Sequence, residues 1–305
     1  MDKLLILTTM KKEEIMTKIK TRLKPLLVLL IVLGLSNPLF AQDDGKEPVR
    51  FPFETTVLLN HQTIKTPFKG GLNFMIQHRF GPMDNGISDI FGVYASANSR
   101  LALNYGITDR IMVGLGTTRD RMLQDLQWKY VLLQQTQDGS IPLFITYYGN
   151  MVLNASDKSN FGAEENYRFI HRLSYFTEFI FARKFNDVLS LQLAPSVAYF
   201  NAVDPGYSNL NMGISAGGRA RVFGFHSIIF EYAHPLTTHE GTDDNPDPET
   251  FPNIALGMEF ATGTHAFQVF VSNYSRLNNQ YNLAFNENDP FDGDFRVGFN
   301  ITVRF

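Results

Sequence analysis

The chain has 305 residues, 44% hydrophobic and 19% charged, a composition that one large domain or two smaller ones would both satisfy. A net charge of -3 offers no overall basic field for nucleic acid, so no nucleic-acid partner is expected. With no cysteine, disulfides, thiolate metal sites, a cysteine nucleophile and the acylated cysteine of a lipoprotein are excluded, and any membrane anchor must be the fold itself.

From the N-terminus, Lys11, Lys12, Lys18, Lys20, Arg22 and Lys24 form a positive stretch, followed by the apolar run Leu26 to Leu33 and then Gly34, Ser36, Asn37 and Pro38. This is the order of a cleavable signal peptide over residues 1–41, with Gln42 as the mature start. The apolar run is too short for a transmembrane helix, which needs about 20 residues. No later segment suits a membrane helix, so crossing a bilayer would require strands of about 9 to 11 residues with alternating apolar and polar side chains.

The rest of the chain supplies that alternation repeatedly. Candidate strands run 70 to 80, 97 to 107, 110 to 118, 123 to 136, 141 to 154, 168 to 184, 188 to 201, 210 to 222, 225 to 236, 253 to 263, 265 to 276 and 295 to 305. The clearest is the last: Val297, Phe299, Ile301, Val303 and Phe305 share one face and Arg296, Asn300, Thr302 and Arg304 the other. Short and long connections alternate between the strands, with 119 to 122 as the exception. A soluble sandwich has no reason to keep that phase, whereas a bacterial barrel has short periplasmic turns and long outer loops. The expected fold is all-β: a closed antiparallel transmembrane barrel over 70–305 with about twelve strands, fourteen being the alternative. Outward Trp128, Tyr130, Tyr147, Tyr175, Phe181 and Tyr199 would supply girdles against outer-membrane lipids. The terminal Phe305 resembles the signal read by the barrel assembly machinery, which places the protein in the outer membrane.

Gln77-His78-Arg79-Phe80-Gly81, the stretch Leu103 to Gly114 and Trp128-Lys129-Tyr130 resemble an uncharacterised family of Bacteroidota β-barrel proteins, a domain of unknown function. The resemblance implies an outer-membrane barrel over most of the mature chain. It brings no activity and no functional residues.

Catalytic and metal motifs are lacking. His78, His171 and His234 fall on the first, sixth and ninth strands, which are not neighbours, and no Gly-x-Ser-x-Gly, His-x-x-x-His, phosphate-loop or dinucleotide pattern accompanies them. Glu240, Asp243, Asp244, Asp247 and Glu249 cluster in one loop and Glu287, Asp289, Asp292 and Asp294 in another, but neither has the spacing of a calcium loop. No enzyme activity, cofactor or metal is therefore expected.

The interior face carries the informative charges. By alternation Arg79, Arg100, Arg110, Lys129, Arg172, Arg219, Arg221, Arg296 and Arg304 point inward against Asp125, Glu178, Glu231 and Glu259, nine positive less four negative leaving an excess of five. A twelve-stranded bore is narrow, and a basic lining would favour small anions. Equally, the arginines could pair with the four acids and with backbone carbonyls in a plugged lumen. Two functions stay open: a narrow passive channel for anionic solutes, or a non-conducting scaffold barrel that binds an envelope partner, with a lipid-facing hydrolase a distant third. Residues 42–69 form a periplasmic or lumenal segment. Within it, 51 to 64 are too polar for a lipid wall and would make the strand count odd, so they are expected to enter the lumen from the periplasmic side as a plug or gate.

Overall fold

The computed structural model describes residues 47–50, 52–161, 164–224, 226–243, 245 and 248–305. The expected signal peptide, together with Asp244 and Asp247 of the first acidic loop, lies outside the described residues.

Twelve strands form one closed sheet: β1 (Leu72–Arg79), β2 (Asn98–Thr108), β3 (Ile111–Thr118), β4 (Leu123–Leu133), β5 (Phe144–Asn154), β6 (Leu173–Lys184), β7 (Leu189–Phe200), β8 (Leu210–Phe223), β9 (His226–Pro235), β10 (Asn253–Ala261), β11 (His265–Ser272) and β12 (Arg296–Arg304). Each strand pairs antiparallel with its sequence neighbours, and β1 closes on β12 in a register that runs from Asn73 opposite Arg304 to Arg79 opposite Gly298. Closure leaves no strand edge with unpaired backbone groups, which is what a lipid environment demands. Twelve, rather than fourteen, is the count.

The pleat sorts the side chains. On β2, Leu101, Leu103, Tyr105 and Ile107 are 44–46% exposed, while the intervening Ala102 and Asn104 are 3% and 2% exposed. On β12, Arg296, Gly298, Asn300 and Thr302 are buried and Val297, Phe299, Ile301 and Val303 form the opposite, half-exposed face. A one-residue slip would exchange these sets, so lipid outside and packing inside fix the register together.

Four strand ends depart from the expected bounds by three residues or more: the end of β4, the start of β5, the start of β6 and the end of β11. β4 stops at Leu133 because Val49 N–H donates to the Gln135 carbonyl at 2.7 Å and Gln137 N–H to that of Glu47 at 3.0 Å, widening the turn before β5. β6 starts only at Leu173 because Phe169–Arg172 take a 3-10 turn. β11 ends at Ser272 because the chain turns there, Asn273 donating its side-chain amide to the carbonyls of Pro252 and Asn288.

The interior is packed by two segments that are not part of the wall. Residues 53–66 enter from the short-turn end as a narrow hairpin, with Leu58 N–H donating to the His61 carbonyl and Thr63 N–H to that of Thr56, both at 2.9 Å. The hairpin leaves beside the β2–β3 turn, where Thr66 Oγ1 donates to the Asp109 carbonyl at 2.7 Å and Lys69 N–H to the Asp109 carboxylate at 2.8 Å. From the long-loop end the β11–β12 connection folds in and carries the short helix α1 (Asn279–Phe285), of which residues 279–284 are buried. Around both lies an apolar cluster that includes Phe53, Leu58, Leu59, Ile64, Phe144, Phe176, Ile180, Phe200, Tyr274 and Tyr281. The inward face is thus partly a dry protein core and not the wet lining that alternation alone suggests.

Candidate functional site

Glu231 on β9 is 2% exposed, and its Oε2 accepts three consecutive hairpin amides, from Leu59 at 3.2 Å and from Asn60 and His61 at 2.9 Å each. Its Oε1 accepts the Tyr274 hydroxyl at 3.1 Å. A hairpin tip necessarily presents backbone N–H groups that lack strand partners, and a buried carboxylate satisfies them while they satisfy it. Hydrogen bonds to a charged group contribute about 1.5–3 kcal/mol each, so this contact dominates the capture of the tip.

Cations grip the same hairpin through its carbonyls. Arg79 Nη2 donates to the Leu59 carbonyl at 3.0 Å, and its guanidinium lies over the Phe270 ring at 4.5 Å. Asn300 Nδ2 reaches the same carbonyl at 2.8 Å. Lys129 Nζ donates to the carbonyls of Thr56 and Lys65, both at 3.0 Å, spanning the two legs. Arg304 donates to the Glu54 carbonyl at 2.7 Å, while Arg219 bridges the carboxylates of Glu259 at 3.0 Å and Glu54 at 3.4 Å. His61 Nδ1 stands 3.7 Å from Glu178. Burial alone would lower the His61 pKa, but Glu231 and then Glu178 outweigh it and raise the imidazole above its ordinary value. Burial, with Arg304 beside it, pushes the Lys65 ammonium down to about 8.

In the second segment α1 itself meets the wall mainly through neutral groups, while the residues leading into it also meet charges, Asn278 Nδ2 donating to the Asp125 carboxylate at 3.3 Å. Gln280 Nε2 donates to Asn150 Oδ1 at 2.9 Å, and Thr118 Oγ1 donates to Asn278 Oδ1 at 3.1 Å. Tyr281 and Phe285 pack edge-on against Phe200 with ring centroids 5.2 and 4.9 Å away. The two segments touch where Asn60 Nδ2 donates to Asn279 Oδ1 at 2.8 Å. Beside that contact, between Gln77, Arg100, Tyr148 and Asn150, the space left is about 10 Å³, room for one water.

The charged residues singled out from the sequence divide by location. Arg79, Arg100, Asp125, Lys129, Glu178, Arg219, Glu231, Glu259 and Arg296 are buried on the strands, and Arg221 and Arg304 are half-buried near the short-turn end. Arg100 and Asp125 form a bidentate pair, at 2.9 and 2.6 Å, so they neutralise one another and not the hairpin. Arg110 and Arg172 lie outside the strands on which they were expected. Arg110 sits in the β2–β3 turn, past the last paired residue of β2. Arg172 closes the 3-10 turn before β6 and braces the long β5–β6 loop by donating to the carbonyls of Asn154 and Ser156 at 2.8 and 2.6 Å. The histidines are scattered: His78 stacks on Phe299, His171 lies against Tyr167 and His234 on Tyr232. Among the described residues no group of three or more His, Asp or Glu side chains is placed to hold a metal.

Residues that alternation did not single out are Glu54, Asn60 and Tyr274, together with the amides Gln77, Asn150, Gln268, Gln280 and Asn300. One local signal for the filled interior does exist. On β8 the inward Gly213 and Gly217 leave room for the intruders: a Cβ on Gly217 would lie 2.5 Å from Leu58, and one on Gly213 would collide with Leu283.

The family model described as "Membrane bound beta barrel domain (DUF5777)" matches residues 53–305, hairpin included, and the chain belongs to that family. No curated protein matches the chain. Among solved structures, the COG4313 outer membrane channel from Pseudomonas putida F1 is 12% identical with a TM-score of 0.48, covering 79% of this chain and 98% of its own. The NanC porin, at 7% identity and TM-score 0.48, covers 77% and 98%. The KdgM porin, at 9% identity and TM-score 0.44, covers 77% and 98%.

Proposed function

Starting from a membrane-bound barrel with an occupied lumen, we propose that the protein is an exported outer-membrane barrel, non-conducting and not a catalyst, that acts as a scaffold displaying its outer loops. The observation that carries this reading is the capture of three consecutive hairpin amides by the buried Glu231 carboxylate. A solute path down the axis would have to break that contact. The apolar cluster around both segments adds to the cost of displacing them. The opposing reading, a narrow channel for small anions, requires inward cations that face open water. Here Arg79, Lys129, Arg219 and Arg304 are engaged with the hairpin instead.

Planar-bilayer recording of the refolded mature protein tests this. The intact chain is expected to give no steady conductance at any voltage tolerated by the membrane, and a variant lacking residues 53–66 to conduct if it folds. Steady, anion-selective current from the intact chain would establish the channel and overturn the scaffold reading.

A further inference from the structure

Beyond the filled part of the lumen, the long-loop end holds two adjoining cavities of about 510 and 480 Å³, each the size of a small-molecule site. Arg121 and Arg276 line both and so form the partition between them. The larger cavity is rich in rings: Phe161, Phe200, Tyr207, Tyr281 and Phe285 all contribute to its lining. The smaller is strongly basic, adding Arg119 and Arg296. With Arg172 in the larger one, five arginines face the carboxylates Asp120, Asp204 and Glu287, an excess of two positive charges.

Asp294 and Asp84, outside the lining, act on Arg296, so the charge left for a ligand is that at Arg121 and Arg276. Glu287 accepts the Tyr207 hydroxyl at 2.9 Å, and Asp120 reaches Arg276 at 3.4 Å. Arg121 has no carboxylate partner among the described residues within ion-pair distance, and its contact is with the Tyr281 ring at 6.0 Å. Its backbone is in the left-handed region, φ 53°, which a residue with a side chain rarely adopts unless its surroundings impose it. Two guanidiniums held side by side are mutually repulsive until an anion joins them, and Arg121 lowers the Arg276 pKa, after burial as the larger cause.

We propose that this outer cup binds an anionic ligand built on a ring, its carboxylate or phosphate held between Arg121 and Arg276 and its ring against the aromatic wall of the larger cavity. Planar guanidiniums match the two oxygens of such a group, and ring walls favour a cyclic body over a bare ion. The site is walled in part by the inward-folding connection, through Arg276, Tyr281 and Phe285, so it needs that segment in place but no conducting path.

Isothermal titration of the detergent-solubilised mature protein with sodium glucuronate, sodium benzoate, inorganic phosphate and glucose tests the proposal. At least one of the two cyclic acids is expected to bind saturably and more tightly than either phosphate or glucose, and less tightly as salt rises. Binding of glucuronate over benzoate identifies an acidic sugar, and the reverse an aromatic acid. Arg121→Gln should weaken binding by roughly tenfold with an unchanged thermal midpoint, and Arg121→Lys, which keeps the charge but not the fork, by less. The proposal falls if neither cyclic acid binds better than glucose, if phosphate alone accounts for the affinity, or if Arg121→Gln binds like the parent chain.

Discussion

The two segments inside the barrel fill the same lumen by different chemistry. The hairpin at the short-turn end is held by ions: Glu231 takes its amides, and Arg79, Lys129, Arg219 and Arg304 take its carbonyls and its one carboxylate. The helix α1 at the long-loop end is held mainly by amide side chains and rings, Gln280 on Asn150 and Tyr281 on Phe200, with Asn278 just before it on the Asp125 carboxylate. The difference follows from what each brings. A tight hairpin presents bare backbone that only strong partners can satisfy, whereas a helix satisfies much of its own backbone and needs little more than a shaped, weakly polar seat. The hairpin is therefore expected to be the more tightly held of the two.

Removing the lock should produce the largest effect. Glu231→Ala leaves three buried amides and the Tyr274 hydroxyl without an acceptor, and should destabilise the folded barrel by about 3–5 kcal/mol in denaturant titration. Glu231→Gln keeps one acceptor oxygen and should recover part of the loss. If Glu231→Ala unfolds with the parent chain, the hairpin is not held as described. Gly217→Val pushes against Leu58 and should cost about 1–3 kcal/mol, with Leu58→Ala in the same chain restoring some of it. Additive effects in that pair would show that the two residues do not meet. On the helical side, Gln280→Ala removes a neutral hydrogen bond from Asn150 and should cost about 1 kcal/mol. A loss as large as that of Glu231→Ala would erase the contrast between the two segments.

The smallest expected effect is a pH dependence. His61 titrates above its ordinary value because Glu231 and Glu178 favour its charged form over the opposing effect of burial. A raised folded-state pKa stabilises fully below the unfolded value of about 6.5, and that contribution is lost as pH rises through the raised one. Unfolding midpoints should thus fall over that window in the parent chain and fall less in His61→Asn. Equal slopes in the two chains would remove His61 from the account.

The wall was legible because a strand's period of two marks the outward face in every segment: Val297, Phe299, Ile301 and Val303, or Leu101, Leu103, Tyr105 and Ile107, declare themselves without any partner. The filling was harder to read. Inward Phe144, Phe176, Ile180 and Phe200 look like lapses in alternation until the segments they pack against are known, and those lie far away in sequence. The polarity of 51 to 64 and the parity of the strand count pointed to an interior hairpin, but nothing local marks 273–295 as an inward-folding loop. The charges were legible in part: an inserted segment meeting the inward cations through backbone carbonyls is what Arg79 and Lys129 show, whereas no residue pattern marked Glu231 as the acceptor of the hairpin's amides or kept Arg110 and Arg172 off the strands.

The central claim is that the hairpin tip is buried and captured inside the barrel, and hydrogen exchange at the Leu59, Asn60 and His61 amides in the folded protein tests it most directly. These three amides are expected to exchange as slowly as those of the strands, and to become fast in Glu231→Ala. Exchange in the parent chain at the rate of an unstructured peptide would contradict the claim.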